Sequence, residues 1–168
     1  MISPTYVRTM ARYNAWQNGS LFEAASGLDE AQRRLDRGAF FGSIHATFCH
    51  LLWADRMWLS RFSDQPKPVL GIRESGSLIA GWDDLAAARR DADAVISAWA
   101  DRVSPDWLAS DMTWFSGALG REMRAPAGLL VAHFFNHQTH HRGQVHALLT
   151  AAGARPEATD LMMVDEPR

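Results

Sequence analysis

Five of the chain's seven histidines fall within residues 133–146, HFFNHQTHHRGQVH. Imidazole is the commonest protein ligand for divalent transition metals and the side chain whose charge changes nearest neutral pH. His137 and His141 stand four residues apart. On a helix such a pair shares one face, with Cβ atoms about 5–6 Å apart, so both rings can reach one cation. A metal site with an open position usually takes three protein ligands. The third must come from another element, and the stretch SIHATFCHLLWAD supplies two more histidines. His50 lies near the middle of that segment, with the small Ala46 and Ala54 one turn away on either side. His45 lies near its start and reads as a packing or surface residue. Without a metal, the same histidines would be a polar strip in the core, each needing a hydrogen-bond partner.

The surrounding residues sort into supporting candidates and bystanders. His133 shares the general face of His137 and is a candidate for the pocket or for supporting the ligands. Asp55 and Gln144 are polar residues on otherwise apolar faces. They either orient a ligand imidazole from behind or bond helix to helix. His140 and His146 are expected at the surface, and Arg142 is expected to pair with Asp55. Trp53, Trp114 and Phe115 read either as packing or as walls of a substrate cavity. Gln138 follows His137 where HExxH metalloproteases carry the glutamate that serves as general base; an amide cannot accept that proton, which argues against such a mechanism.

Four long helical segments must position these groups. The first follows Ser3-Pro4, a capping residue and a proline suited to the first turn, and runs to Gly27 with Tyr6, Met10, Tyr13, Leu21 and Ala24 in its stripe. A further turn of helix fits 29–36. The second starts after Gly42-Ser43 and stops before Pro66 and Pro68. The third covers about 82–103, with Leu85, Ala88, Ala92, Ile96 and Trp99 buried and Arg89, Arg90, Asp91 and Asp93 solvated. The fourth runs from near Pro126 to about Ala152, with Gly153 past its end. Its stripe is Leu130, Phe134, His137, His141, Val145 and Leu148, apolar at both ends and histidine in the middle. Between the third and fourth, DMTWF, SGALG and REMRAP suggest a short β-hairpin. The apolar cluster 161–164 is expected to fold back on the body. This pattern reads as an all-α four-helix bundle forming a single domain over 1–168.

Composition narrows the function. The chain has 168 residues, 47 % hydrophobic and 21 % charged, with a net charge of −2. That balance argues against a nucleic-acid partner, which needs a basic face. The one cysteine, Cys49, rules out an intramolecular disulfide and a thiolate-based structural zinc site. No segment approaches a signal peptide or a membrane span, so a cytoplasmic protein without a membrane partner is expected.

The stretches YNAWQNGSLFEAA, SIHATFCHLLWADRMWLSRF and HFFNHQTHHRGQVHALLTAAG together resemble the DinB family, from about Tyr6 to Val164; HLLWADRMW and NHQTHHRGQ are the most specific pieces. The resemblance implies an up-down-down-up bundle, often dimeric, and a divalent metal (Zn, Ni or Fe) held by three histidines matching His50, His137 and His141. Relatives in the same superfamily include mycothiol-dependent isomerases and bacillithiol transferases. By that resemblance the expected activity is metal-dependent transfer of a low-molecular-weight thiol to an electrophilic small molecule, with hydrolysis as a second chemistry. The alternative is a non-catalytic, stress-linked dimer that binds a small ligand.

Overall fold

The computed structural model describes residues 2–117 and 119–164. Four long helices build the body: α1 (Pro4–Ser26), α3 (Ile44–Phe62), α4 (Trp82–Ala100) and α6 (Ala127–Ala151). Two five-residue helices, α2 (Glu30–Arg34) and α5 (Pro105–Ala109), lie in the connections, and strands β1 (Asp111–Ser116) and β2 (Arg121–Pro126) form a hairpin before α6. Local chemistry sets the starts. The hydroxyl of Ser3 accepts from the Tyr6 N–H, with Pro4 in the first turn of α1, and Ser43 accepts from the Ala46 N–H at the head of α3. These bonds satisfy N–H groups that a helix start leaves without intrahelical partners. At the far end of α6, Gly153 takes a positive φ of 84°, which a side-chain-bearing residue rarely adopts.

Side-chain contacts fix the topology. Tyr6 meets Phe135 and Asn14 meets Arg142, so α1 and α6 run parallel. Phe22 stacks on Trp82 while Asn14 bonds Asp93, so α1 and α4 are antiparallel. Phe48 meets Trp82, Asp55 meets Arg89 and Phe62 meets Trp99, so α3 and α4 are parallel. Phe62 meets Phe134 while His50 meets His137, so α6 opposes α3. The result is an up-down-down-up bundle. Two parallel neighbours in succession require a connection that travels back along the bundle, and the stretch 63–81 does so.

The core divides into two apolar clusters with a polar layer between them. One, toward the hairpin, contains Val7, Met10, Leu59, Phe62, Ile96, Trp99, Phe134 and Phe135. The other contains Leu21, Phe48, Leu52, Leu85, Val145 and Leu149. Between them Arg89 ion-pairs with Asp55 at 2.5 Å and Asp93 at 2.9 Å, Gln138 donates to Asp55 at 2.8 Å, and Asn14 and Asn18 donate to Asp93 at 3.1 and 2.9 Å. Arg142 donates to Asn14. Two expectations are corrected here. Arg89 and Asp93 are buried, 3 % and 9 % exposed, not solvated. Arg142 does not bond Asp55, whose oxygens are taken by Arg89 and Gln138. The first error has a plain cause: an i, i+4 charge pair reads as a solvated face when its further partners lie on other helices.

The third helix ends at Ala100, a turn earlier than its apolar spacing suggests. The hairpin pairs Asp111 with Pro126 through Ser116 with Arg121. It turns Trp114 inward onto Trp58 and leaves Phe115 66 % exposed. The tail crosses α1: the Tyr13 hydroxyl donates to Thr159 O at 2.6 Å, Gln17 donates to Ala158 O at 2.9 Å, and Val164 packs against the hairpin-side cluster. No helix among the described residues is long and apolar enough to cross a membrane.

Candidate metal centre

At the level of the polar layer, α3 and α6 face each other with histidines instead of aliphatic side chains. The Nε2 atom of His137 lies 3.4 Å from Nε2 of His50 and 3.1 Å from Nε2 of His141. One ligand atom from each of the three lies within 4.8 Å of the others. His50 is fixed by its place in mid-α3, and His137 and His141 by their one-turn spacing on α6.

The other ring nitrogens explain why Nε2 is the free atom. Nδ1 of His50 is 2.8 Å from the Ser75 hydroxyl, which itself donates to Ile72 O at 2.7 Å. With its proton committed, Ser75 can only accept, so His50 Nδ1 carries the hydrogen and Nε2 the lone pair. Nδ1 of His141 donates to Oε1 of Gln144 at 2.7 Å, and the Gln144 amide nitrogen is 3.3 Å from Nε2 of His140. That contact orients the amide, and again leaves Nε2 of His141 as the lone pair. Hydrogen bonds of this kind behind a ligand imidazole set its tautomer and its ring orientation.

Burial completes the electrostatics. His50 is 3 % exposed and His141 7 %. Loss of solvent, reinforced by His141, lowers the His50 pKa from 6.5 to about 4. Loss of solvent and then the neighbouring rings lower that of His137 to about 3. For His141 burial lowers the pKa, and the Gln144 bond opposes it. The cluster is therefore neutral at pH 7, the form that donates a lone pair to a metal. Phe41 stacks on the His50 ring at 3.9 Å between centroids, and Trp53 lies near-parallel to it at 5.9 Å. Trp53 is held by its own N–H donated to Leu70 O at 2.8 Å.

The remaining sequence candidates occupy other places. Asp55 bonds Arg89 and Gln138 within the polar layer. Gln138 is thereby committed to helix packing, at the position where HExxH proteases carry their base. His133 is exposed, with its ring 6.0 Å from that of His137 and 5.1 Å from Trp58. His45 is buried, its Nε2 2.8 Å from Ile79 O. Three residues of the site escaped sequence reasoning: Ser75, Phe41 and His140. The first two sit in connections without periodicity. The third is exposed, as expected, and its contact with the Gln144 amide is visible only in the structure.

Comparison with known proteins agrees with the architecture. No match was found among curated proteins. A solved structure, the crystal structure of a DinB-like protein from Bacillus cereus ATCC 10987, superposes with a TM-score of 0.61 over 85 % of this chain and 90 % of that one, at 18 % identity. The model of the DinB family matches residues 1–168. A match over that span, on an up-down-down-up bundle with a hairpin before its last helix, places the chain in the DinB family.

Proposed function

We propose that this protein is a metal-dependent enzyme acting on a small molecule, with transfer of a low-molecular-weight thiol to an electrophile preferred over hydrolysis. His50, His137 and His141 would hold a divalent ion, Zn, Ni or Fe, through their Nε2 atoms. The observation that carries the reading is the convergence of the three Nε2 atoms while Ser75 and Gln144 hold the Nδ1–H of two of the rings. A polar core strip would be expected to engage both nitrogens of each ring in bonds to other groups. Here the free nitrogens point at one another instead. A divalent ion so held supplies Lewis acidity, which favours the deprotonated form of a thiol or of water placed beside it.

The chain's own groups do the rest. Ser75 and Gln144 keep two imidazoles in the donor tautomer, and burial keeps all three uncharged. Phe41 and Trp53 cover the His50 ring and keep water from it. The reading includes a cytoplasmic homodimer as the working unit, which light scattering after size exclusion checks. The test of function is consumption of a thiol together with chlorodinitrobenzene or monochlorobimane, or release from a test ester, by the metal-loaded protein. Turnover lost in His50→Ala supports an enzyme. Saturable binding without turnover across such a screen would support a ligand-binding protein instead.

A further inference from the structure

The face of α3 that bears His50 continues beyond it. Ala54, Met57 and Arg61 follow four, seven and eleven residues later, within about 40° of His50 around a helix of 3.6 residues per turn. Arg61 lies about 16 Å further along the axis, at 1.5 Å per residue. On the facing helix, His133 lies one turn before His137 and its ring meets Trp58. The Arg61 guanidinium lies over Trp58, 4.4 Å from the ring centre, and 6.0 Å from the ring of Trp114, which the hairpin contributes. A continuous run of side chains thus leads from the three Nε2 atoms, through His133 and Trp58, to a guanidinium.

Among the described residues that guanidinium has no ion-pair partner. Arg89 is paired with Asp55 and Asp93, Arg124 with Asp111, and Arg34 with Glu30. Arg61 makes no hydrogen bond or ion pair with any described residue. It is half-buried, and burial lowers its pKa with no carboxylate to offset the effect. The nearby His133 feels only burial and the charge of Arg61 itself. Indole faces hold a guanidinium in place by cation–π attraction while leaving its planar set of N–H donors available for a carboxylate.

We propose that Arg61, set over Trp58 and beside Trp114, docks a carboxylate of the small molecule that reacts at the three-histidine site. The class of ligand is a short molecule with its reacting thiol or electrophilic centre at one end and a carboxylate at the other. Trp58 and His133 offer aromatic surface to the chain between. The inference rests on the metal reading for the reacting end only; the carboxylate contact stands on Arg61 and the two indoles.

The test uses the full chain reconstituted with Co²⁺ and titrated with mercaptopropionate, mercaptohexanoate and mercaptooctanoate, each beside its primary amide. Thiolate-to-cobalt absorption reads binding. For at least one chain length the acid should bind about 10-fold or more tightly than the amide, the scale of a charge-assisted hydrogen bond. Arg61→Gln should remove that preference at unchanged cobalt content, and Arg61→Lys should keep part of it. No preference in the parent, or the same preference in Arg61→Gln, overturns the proposal. A lowered Tm in Arg61→Gln with the preference intact would assign the residue a packing role only. If cobalt does not bind, the metal reading fails, and tryptophan fluorescence of the metal-free protein decides the carboxylate contact. A saturable change with mercaptohexanoate but not its amide, absent in Arg61→Gln, supports the contact; no change overturns it.

Discussion

The Nδ1–H of His50 donates to the hydroxyl of Ser75, 2.8 Å away across the α3–α4 connection. The same hydroxyl donates its own hydrogen bond to Ile72 O, so a short turn in a loop determines which nitrogen of a buried imidazole is free. Removing that support by Ser75→Ala should weaken metal affinity about 10- to 100-fold while leaving the helices intact. Competition with a chromophoric chelator measures the first and far-ultraviolet circular dichroism the second.

Gln144 plays the matching part for His141. Gln144→Ala should lower metal affinity by a similar factor. His140→Ala should do so more weakly, because His140 bonds the amide that orients His141 and meets the His141 ring edge-on without bonding either of its nitrogens. Equal losses in both variants would place His140 closer to the metal than its geometry does.

The buried histidines give the metal-free protein a particular pH dependence. Their folded-state pKa values lie below 6.5, at about 4 for His50 and about 3 for His137. The unfolded chain therefore takes up protons first as the pH falls. Stability of the metal-free protein should be full above about pH 6.5 and should decline as the pH drops toward 4. Urea midpoints at pH 7.5, 6 and 5 follow this, and the decline should be smaller in His50→Ala. A midpoint that rises on acidification would contradict the assignment.

Metal removal itself should not unfold the protein. The two apolar clusters pack all four long helices without help from the histidines, and a chain of this size does not need a metal to hold its core. Helical circular dichroism should survive chelation, and it should survive in His137→Ala and His141→Ala.

The polar layer is where stability is most exposed to mutation. Asp55 is 1 % exposed and accepts from both Arg89 and Gln138. Asp55→Ala leaves a buried guanidinium short of one partner, a change of about 3–5 kcal/mol. Denaturant unfolding should show it, whatever the metal content.

How much could be read from the chain depended on periodicity. The helix starts at Ser3 and Ser43 and the hairpin between DMTWF and REMRAP were readable because caps and turn residues are local signals. The convergence of His50, His137 and His141 was anticipated from one-turn spacing on one helix and mid-helix position on another, with the family resemblance pointing to the same residues. Ser75 was not readable, because a serine in RESGS gains meaning only when its loop folds against α3. Arg89 and Asp93 misled for the opposite reason. Their spacing fits a surface ion pair, and only the placement of Asp55, Asn14 and Asn18 shows them as a core layer.

Metal content tests the central claim most directly. Protein purified without a histidine tag should contain about one divalent ion per chain by inductively coupled plasma mass spectrometry, and both His50→Ala and His137→Ala should lose it. A parent that stays metal-free after reconstitution with Zn²⁺, Ni²⁺ and Fe²⁺ would contradict the account and make the three histidines a polar core.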